Sequence, residues 1–278
     1  MTEQPDTQKE TFRLFRSKSC DDNAPHCHLE MEIILVLTGT SCITVGDASY
    51  QLDTGDMVFI HSGELHTIHT PPTGECIVVQ FHPELLFSCK ELETTVCILP
   101  SAIVISKSRS GPRLYSDLFQ LIQTMTEELK SHKILKEASA ISHLLQIYVR
   151  LCREMIYENE NFQNTSLNKQ QEYIERFLQI CSYINGHYAD TLTLETISET
   201  AGFSKFHFSR LFKQFTNMTF NDYLNQYRIR KAEALLLTTS MSVVDIATHA
   251  GFSSLSNFNR AFRLFKGISP TEYRKMAD

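Results

Sequence analysis

Residues 197–215, ISETAGFSKFHFSRLFKQF, return as residues 246–265, IATHAGFSSLSNFNRAFRLF, and this duplication decides how the chain reads. Ile197 and Ala201-Gly202-Phe203-Ser204 align with Ile246 and Ala250-Gly251-Phe252-Ser253 at an offset of 49. After one inserted residue, Phe208, Arg210, Phe212, Lys213 and Phe215 align with Phe258, Arg260, Phe262, Arg263 and Phe265 at an offset of 50. Two copies make a duplicated module, not a solenoid. Each copy holds the parts of a helix-turn-helix: a short amphipathic helix, a glycine suited to the positive φ of a tight turn, a capping serine, and a second helix. The reading assigns the caps to Ser204 and Ser253 and places the two motifs at about 194–216 and 243–266.

The second helix of each motif has two faces. Phe208, Leu211, Phe212 and Phe215, at i, i+3, i+4 and i+7, form the buried face of the first, and Phe258, Ala261, Phe262 and Phe265 that of the second. The outward faces then carry Lys205, Phe206, Ser209, Arg210 and Lys213 in one copy, and Ser256, Asn257, Asn259, Arg260 and Arg263 in the other. Such a helix fits the major groove of double-stranded DNA, where Ser, Asn and Arg bond base edges and Lys and Arg meet phosphates. Solvation alone would account for one such face, but matched arginines in two copies favour DNA. Between the motifs, Phe220–Leu237 reads as one long helix that fixes their separation, with Arg228, Arg230 and Lys231 open to phosphate or to solvent.

Working outward, the charge changes sign along the chain. From Asn168 onward there are 13 Lys and Arg against 10 Asp and Glu, a net +3, which leaves residues 1–167 at −9 of the whole chain's −6. An acidic half precedes a mildly basic one. The polar stretch 158–168, ENENFQNTSLN, has no periodicity and is the linker candidate between them. Upstream, Leu114, Leu118, Leu121, Ile122, Met125 and Leu129 recur at helical spacing, and Ile134–Tyr157 reads as a second helix with a stripe of Ala138, Ile141, Leu145, Tyr148, Cys152 and Met155. That stripe suits either packing within the chain or a subunit seam.

Residues 12–82 alternate short apolar runs with turns: Met31–Leu37, Cys42–Val45, Met57–Ile60 and Cys76–Phe81 are punctuated by Thr38-Gly39, Gly46-Asp47 and Asp53-Thr54-Gly55-Asp56. Many short strands with tight turns indicate a sandwich or barrel. The fold class expected is α+β: a sensor domain over 1–105, a helical connector suited to dimerisation over 106–167, and an all-α DNA-binding domain over 168–278. No apolar run is long enough to span a bilayer and Met1–Glu10 lacks the basic start and apolar stretch of a secretory signal, so a cytoplasmic location is expected. The eight cysteines fall in no Cys-x-x-Cys pair, which argues for reduced thiols over a zinc ribbon or a disulfide framework.

Residues 190–278 resemble the DNA-binding domain of AraC/XylS-type bacterial transcription regulators. The resemblance rests on LETISETAGFS from Leu194, SRLFK from Ser209, YRIRKA from Tyr227, Ile246-Ala247, and GFS from Gly251 through FRLFKGISPTEYR ending at Arg274. By matching position it implies base reading by Phe206, Ser209 and Arg210 in the first recognition helix and by Ser256, Asn257 and Arg260 in the second. Phe206 departs from the pattern, since a phenyl ring offers a thymine methyl contact but no hydrogen bond. In the acidic half, His26-x-His28-x-x-x-Glu32 followed by Gly39, Gly55 and Gly63-x-x-His66 resembles the two-part signature of cupin β-barrels, with departures at Cys20, His61 and Thr70. That resemblance implies that His26, His28, Glu32 and His66 converge inside the barrel, either on a divalent metal or as a polar, metal-free lining for a small effector. Alternation along a strand turns Cys27 to the opposite face, so it is not counted with them.

Together the resemblances imply a non-enzymatic, ligand-responsive transcription regulator of a carbohydrate uptake or metabolism operon, an activator or a repressor, working as a homodimer with RNA polymerase as partner and a sugar as effector. The rival from another class is a metal-dependent cupin enzyme fused to a DNA-binding domain.

Overall fold

The structure, a computed structural model, describes residues 12–18, 21–96, 98–157 and 167–276. Among the described residues the acidic half opens with nine strands: β1 (Phe12–Lys18), β2 (Asp21–His26), β3 (Met31–Thr38), β4 (Ser41–Val45), β5 (Ala48–Leu52), β6 (Met57–Ile60), β7 (His66–His69), β8 (Glu75–Phe81) and, after two short helices, β9 (Ala102–Ile105). They form two antiparallel sheets, ordered β1-β8-β3-β6-β9 and β2-β7-β4-β5. The two helices between β8 and β9, α1 (Glu84–Phe87) and α2 (Lys90–Val96), were not foreseen from the sequence.

The five-stranded sheet is buried on both faces, and this positions the site. Along β3, Met31, Ile33 and Leu35 enter one core with helices α3 (Pro112–Lys130) and α4 (Lys136–Tyr157), while Ile34 and Val36 enter another with Ile43, Leu52, Val58, Ile68 and Val78 between the sheets. A strand covered on both sides reads as a continuous apolar run, which is why MEIILVL shows no alternation. Glu32 belongs to the inter-sheet set by parity and is buried there, a costly position for a carboxylate without partners.

In α3 the expected face is the observed one, with Leu114, Leu118, Ile122 and Met125 buried. In α4 the face is rotated from the expected stripe. Ala140, Leu144, Ile147, Tyr148, Leu151 and Cys152 pack into the core shared with the sheet, whereas Ala138 and Met155 are exposed. The helix carries two overlapping apolar stripes, and the sheet takes the one that includes the larger set of fully buried aliphatics.

The basic half is helical throughout: α5 (Leu167–Gly186), α6 (Leu194–Thr200), α7 (Lys205–Thr216), α8 (Phe220–Thr238), α9 (Val243–His249), α10 (Leu255–Lys266) and α11 (Pro270–Lys275). Of the linker candidate 158–168, residues 158–166 lie outside the described residues, and Leu167 and Asn168 already belong to α5. Cys20 and Cys97 lie outside them too, and the six described cysteines are free thiols. Helices α6–α7 and α9–α10 are the two helix-turn-helix pairs, each turning on a positive-φ glycine, Gly202 at 71° and Gly251 at 82°. Ser204 caps α7 by accepting from the His207 amide. The expected cap of α10 is corrected by one residue: Ser254, not Ser253, accepts from the Asn257 amide. The residue inserted between the copies falls before the cap, so the capping position follows the offset of the helix and not that of the turn.

Each pair has its own core. Phe208, Phe212 and Phe215 pack with Phe177 of α5 and with Phe220 and Tyr223 of α8, and Phe258, Ala261 and Phe262 pack with Ile229, Ala232 and Leu236 farther along α8. Helix α8 is thus the shared beam. Cys27, from the end of β2, joins the second core.

Candidate functional site

The register of the four-stranded sheet sets His26 opposite His66, so two imidazoles from neighbouring strands meet with ring centroids 4.3 Å apart. His28 completes the group at 5.1 Å from His66 and 5.7 Å from His26. One ligand-type nitrogen from each of the three rings lies within 4.8 Å of the others. Glu32 reaches the same point from the facing sheet, its two oxygens 3.2 Å from His28 Nε2 and 3.1 Å from His66 Nε2. The structure therefore gathers all four residues proposed from the sequence.

The other nitrogen of each ring is already committed. Nδ1 of His26 lies 3.3 Å from the Ala24 carbonyl, that of His28 3.1 Å from the Glu30 carbonyl, and that of His66 2.8 Å from the Glu64 carbonyl. A carbonyl only accepts, so Nδ1 carries a proton in each ring, and Nε2 of His28 and of His66 faces Glu32 as a lone pair when the ring is neutral and as a second donor when it is charged. Without a proton on Nε2, the buried Nε2 atoms of His28 and His66 and Oε2 of Glu32 have no hydrogen-bond partner; a proton on either Nε2 is donated to the carboxylate. Lone pairs facing one another at that range repel unless positive charge lies between them, supplied by further protons on the rings or by a divalent cation. Burial alone would raise the Glu32 carboxyl, but hydrogen bonds and charge from His28 and His66 outweigh it and hold the group ionised, well below the usual carboxylate range. For His28, burial disfavours the charge, and Glu32 with Glu30 more than offsets it, raising that ring above its ordinary value. The three imidazoles, with Nδ1 tied to the backbone and one ligand nitrogen each within 4.8 Å of the others, fit a divalent cation, and the ionised Glu32 carboxylate, anchored by the Gln80 side-chain amide donating to Oε1, lies against two of them.

Sequence reasoning missed Gln80, which sits opposite Glu32 on β8. Cross-strand register is the only signal that selects it, and register is not visible before the fold is known.

The residues expected from the sequence to face DNA lie on the surface. Lys205, Phe206, Ser209, Arg210 and Lys213 on α7, and Ser256, Asn257, Arg260 and Arg263 on α10, are all exposed, with Phe206 at 92%. Lys205 pairs with Glu195 on the preceding helix. Asn259 is half-buried. The three basic residues of α8 left open by the sequence are half-buried against other parts of the chain. Arg228 donates to the carbonyls of Tyr188 and Asp190 and stands over the Phe252 ring, Lys231 lies 3.7 Å from Glu93, and Arg230 lines a cavity of about 310 Å³ between α8 and the 61–62 and 82–87 segments.

A second group that the sequence did not single out joins the two halves. Lys266, at the end of α10, lies 2.5 Å from Glu233 of α8 and 3.1 Å from Glu64, and it donates to the Gly63 carbonyl at 3.2 Å. Tyr273 of α11 donates to the same carbonyl at 2.8 Å. Gly63 has φ 72°, and a Cβ there would stand 2.9 Å from both Glu233 Oε2 and the Tyr273 hydroxyl. Only glycine permits that approach.

Comparison with known proteins agrees with this architecture. A family model described as an AraC-like ligand binding domain matches residues 13–146, and a helix-turn-helix domain model matches residues 197–276. The HTH-type transcriptional regulator YdeC of Bacillus subtilis is 26% identical over 90% of this chain and 86% of its own length. An HTH-type transcriptional regulator of Staphylococcus aureus (strain COL) is 24% identical over 86% of this chain, which spans only 30% of that protein. Among solved structures, ToxT from Vibrio cholerae O395 aligns over 97% of this chain and 99% of its own at 12% identity, with a TM-score of 0.47. Among the described residues no helix is long and apolar enough to cross a membrane. With a two-sheet domain carrying a converged polar site and a pair of helix-turn-helix motifs on one beam, matched in turn by these two models, the chain belongs to the AraC-type transcriptional regulators, which join a ligand-binding domain to a DNA-binding one.

Proposed function

We propose that the effector of this regulator seats on His26, His28, Glu32 and His66, and that the exposed faces of α7 and α10 read its operator in two major-groove segments. The observation that carries the first half is the clustering of three imidazoles, each with Nδ1 tied to a backbone carbonyl, beside an ionised carboxylate that meets two of them. A divalent metal held by those four residues would supply a Lewis acid to anchor an effector oxygen; imidazole and carboxylate ligands suit zinc, iron, nickel and manganese alike. An oxygen-rich small molecule such as a sugar fits such a centre, and a carbohydrate uptake or metabolism operon is the matching target. Homodimerisation through α3 and α4 and activation through RNA polymerase belong to the same reading and rest on the family resemblance.

The test uses duplexes selected from a random library by the full-length protein. Affinity is measured with and without cobalt(II), whose visible absorption reports ligation by imidazole, and across a panel of mono- and disaccharides. A defined footprint with steep salt dependence, shifted by one of these additions, is the expected result. Equal affinity under every condition overturns the sensing half. The complete donor set also suits a metal-dependent enzyme, and turnover of simple cupin substrates by the cobalt-loaded protein would favour that second reading.

A further inference from the structure

The segments that carry the site histidines have a second face, and that face holds the second helix-turn-helix. Along His26-Cys27-His28 the imidazoles turn into the site, while Cys27 turns the other way and is buried with Phe258, Phe262 and Tyr273. Gly63-Glu64-Leu65-His66 is divided between the same two neighbours, though not residue by residue. His66 enters the site, Leu65 packs against the core of the second motif, and Glu64 with the Gly63 carbonyl engages Lys266 and Tyr273. The two segments are tied to each other by the His26–His66 register, by the Gly63 amide donating to the His28 carbonyl at 2.9 Å, and by the Ser62 hydroxyl donating to the Leu29 carbonyl at 2.6 Å.

These contacts fall on one reader. Lys266 closes the C-terminal end of α10, the recognition helix of the second motif, and Tyr273 lies in α11 just beyond it. Among the described residues, the first motif's α7 has its principal partners in α5, α6 and α8. The docked group is also costly to leave half-made. The Lys266 side chain is 5% exposed and sits against two carboxylates that are 9% and 3% exposed, so undocking strands charge unless water enters with it. Such a contact favours two discrete arrangements, docked and released, over a graded series.

We propose that the 26–28 and 63–66 segments act as a two-sided latch: their inner face binds the effector and their outer face clamps the second helix-turn-helix, so that occupancy of the site changes how firmly α10 and α11 are held while α7 is left alone. This rests on the reading of His26, His28, Glu32 and His66 as the effector site. The coupling needs no relay of intervening residues, because ligand-facing and reader-facing side chains sit on the same short backbone segments. A ligand that prefers one position of these segments then shifts the docked population by its difference in affinity.

Hydrogen exchange on the full-length chain tests both faces. On the outer face, Glu64→Gln and Tyr273→Phe each remove one docking contact without touching the DNA-facing residues. Exchange over residues 255–276 should quicken at least about fivefold in each, with residues 205–216 unchanged. On the inner face, cobalt(II) and, separately, Glu32→Gln should each alter exchange over residues 255–276, and cobalt(II) should lose that effect in Glu64→Gln. If neither outer-face variant moves residues 255–276, there is no latch. If the outer-face variants act but neither bound cobalt(II) nor Glu32→Gln is felt at 255–276, the coupling is wrong and the proposal falls. Absence of cobalt absorption counts against the site reading alone, and Glu32→Gln still decides the coupling.

Discussion

Lys266 lies 2.5 Å from Glu233, both side chains at most 5% exposed, so the end of one recognition helix is bound to the middle of the beam that joins the two readers. Burial disfavours the charge on Lys266, and Glu233 and Glu64 more than offset it, keeping the amine protonated. Burial is also the dominant influence on Glu233. The lysine opposes it, yet the carboxyl is pushed up to about 7, with the Glu64 charge adding to the rise and Arg230 opposing it.

A pH dependence follows from that carboxyl. Its folded value is above the ordinary one of 4.5, so between about 4.5 and about 7 the folded chain holds a proton that the unfolded chain has lost. The stability it contributes is fully present below 4.5 and is lost as pH rises through about 7. The Tm of the native chain minus that of Glu233→Gln should therefore fall across this window and level off above it. A difference that stays constant from pH 4.5 to pH 8 would mean that Glu233 does not titrate there. The groups facing it, Lys266, Glu64, Arg230 and Tyr273, are the same in both proteins.

For the polar site, Glu32→Gln keeps the shape and removes the charge between His28 and His66. It should weaken cobalt(II) binding by more than tenfold, measured by absorption titration. Gln80→Leu removes only the amide that anchors Glu32 and should weaken binding by about ten- to a hundredfold, the range expected for an outer-shell partner. Cys27→Ser should leave cobalt binding within twofold, because the thiol faces the second helix-turn-helix and burial pushes it up, away from the thiolate a metal requires. A large loss in Cys27→Ser with none in Glu32→Gln would put the ligands elsewhere.

Arg210 and Arg260 occupy the same position in the two copies, and both are exposed on their recognition helices. Replacing either by Ala should cost about 1–3 kcal/mol of DNA binding if it reads a base pair, with preference relaxed at that base pair alone. An even loss across all sequences would demote the residue to a phosphate contact. Phe206→Ala should leave Tm unchanged, since the ring is 92% exposed, and should lower affinity only for sites with thymine at its contact position.

How far the sequence discloses such features depends on how local their causes are. The turn glycines Gly202 and Gly251 and the apolar spacing of α7 and α10 act within a few residues, and the structure keeps them. The four site residues were readable because both motifs that bear them, 26–32 and 63–66, carry a recognisable spacing. Gln80 and Lys266 were not, since their partners are 48 and 203 residues away and only the strand register and the docking of α10 bring them together. Helix α4 shows the opposite problem. Its apolar positions support two stripes, and the choice between Ala138-Ile141-Leu145 and Ala140-Leu144-Ile147 is made by the sheet it covers.

The capping serine of α10 separates a local cause from a copied one. Duplication alone makes Ser253 the counterpart of Ser204, because both follow Ala-Gly-Phe. The geometry selects Ser254, whose φ and ψ of −155° and 150° are extended and whose hydroxyl accepts from the Asn257 amide at 3.2 Å. Ser253 instead receives the Asn257 side-chain amide at 3.4 Å, an exposed contact of little energetic consequence. Ser254→Ala should therefore cost about 1 kcal/mol of stability, as the loss of an N-cap does, and Ser253→Ala only a few tenths. Because Asn257 is proposed to read a base, freeing its side chain in Ser253→Ala should leave Tm nearly unchanged while altering DNA affinity. Chemical denaturation of the two variants, beside their DNA titrations, distinguishes these effects; a larger stability loss in Ser253→Ala would return the cap to the position the duplication implies.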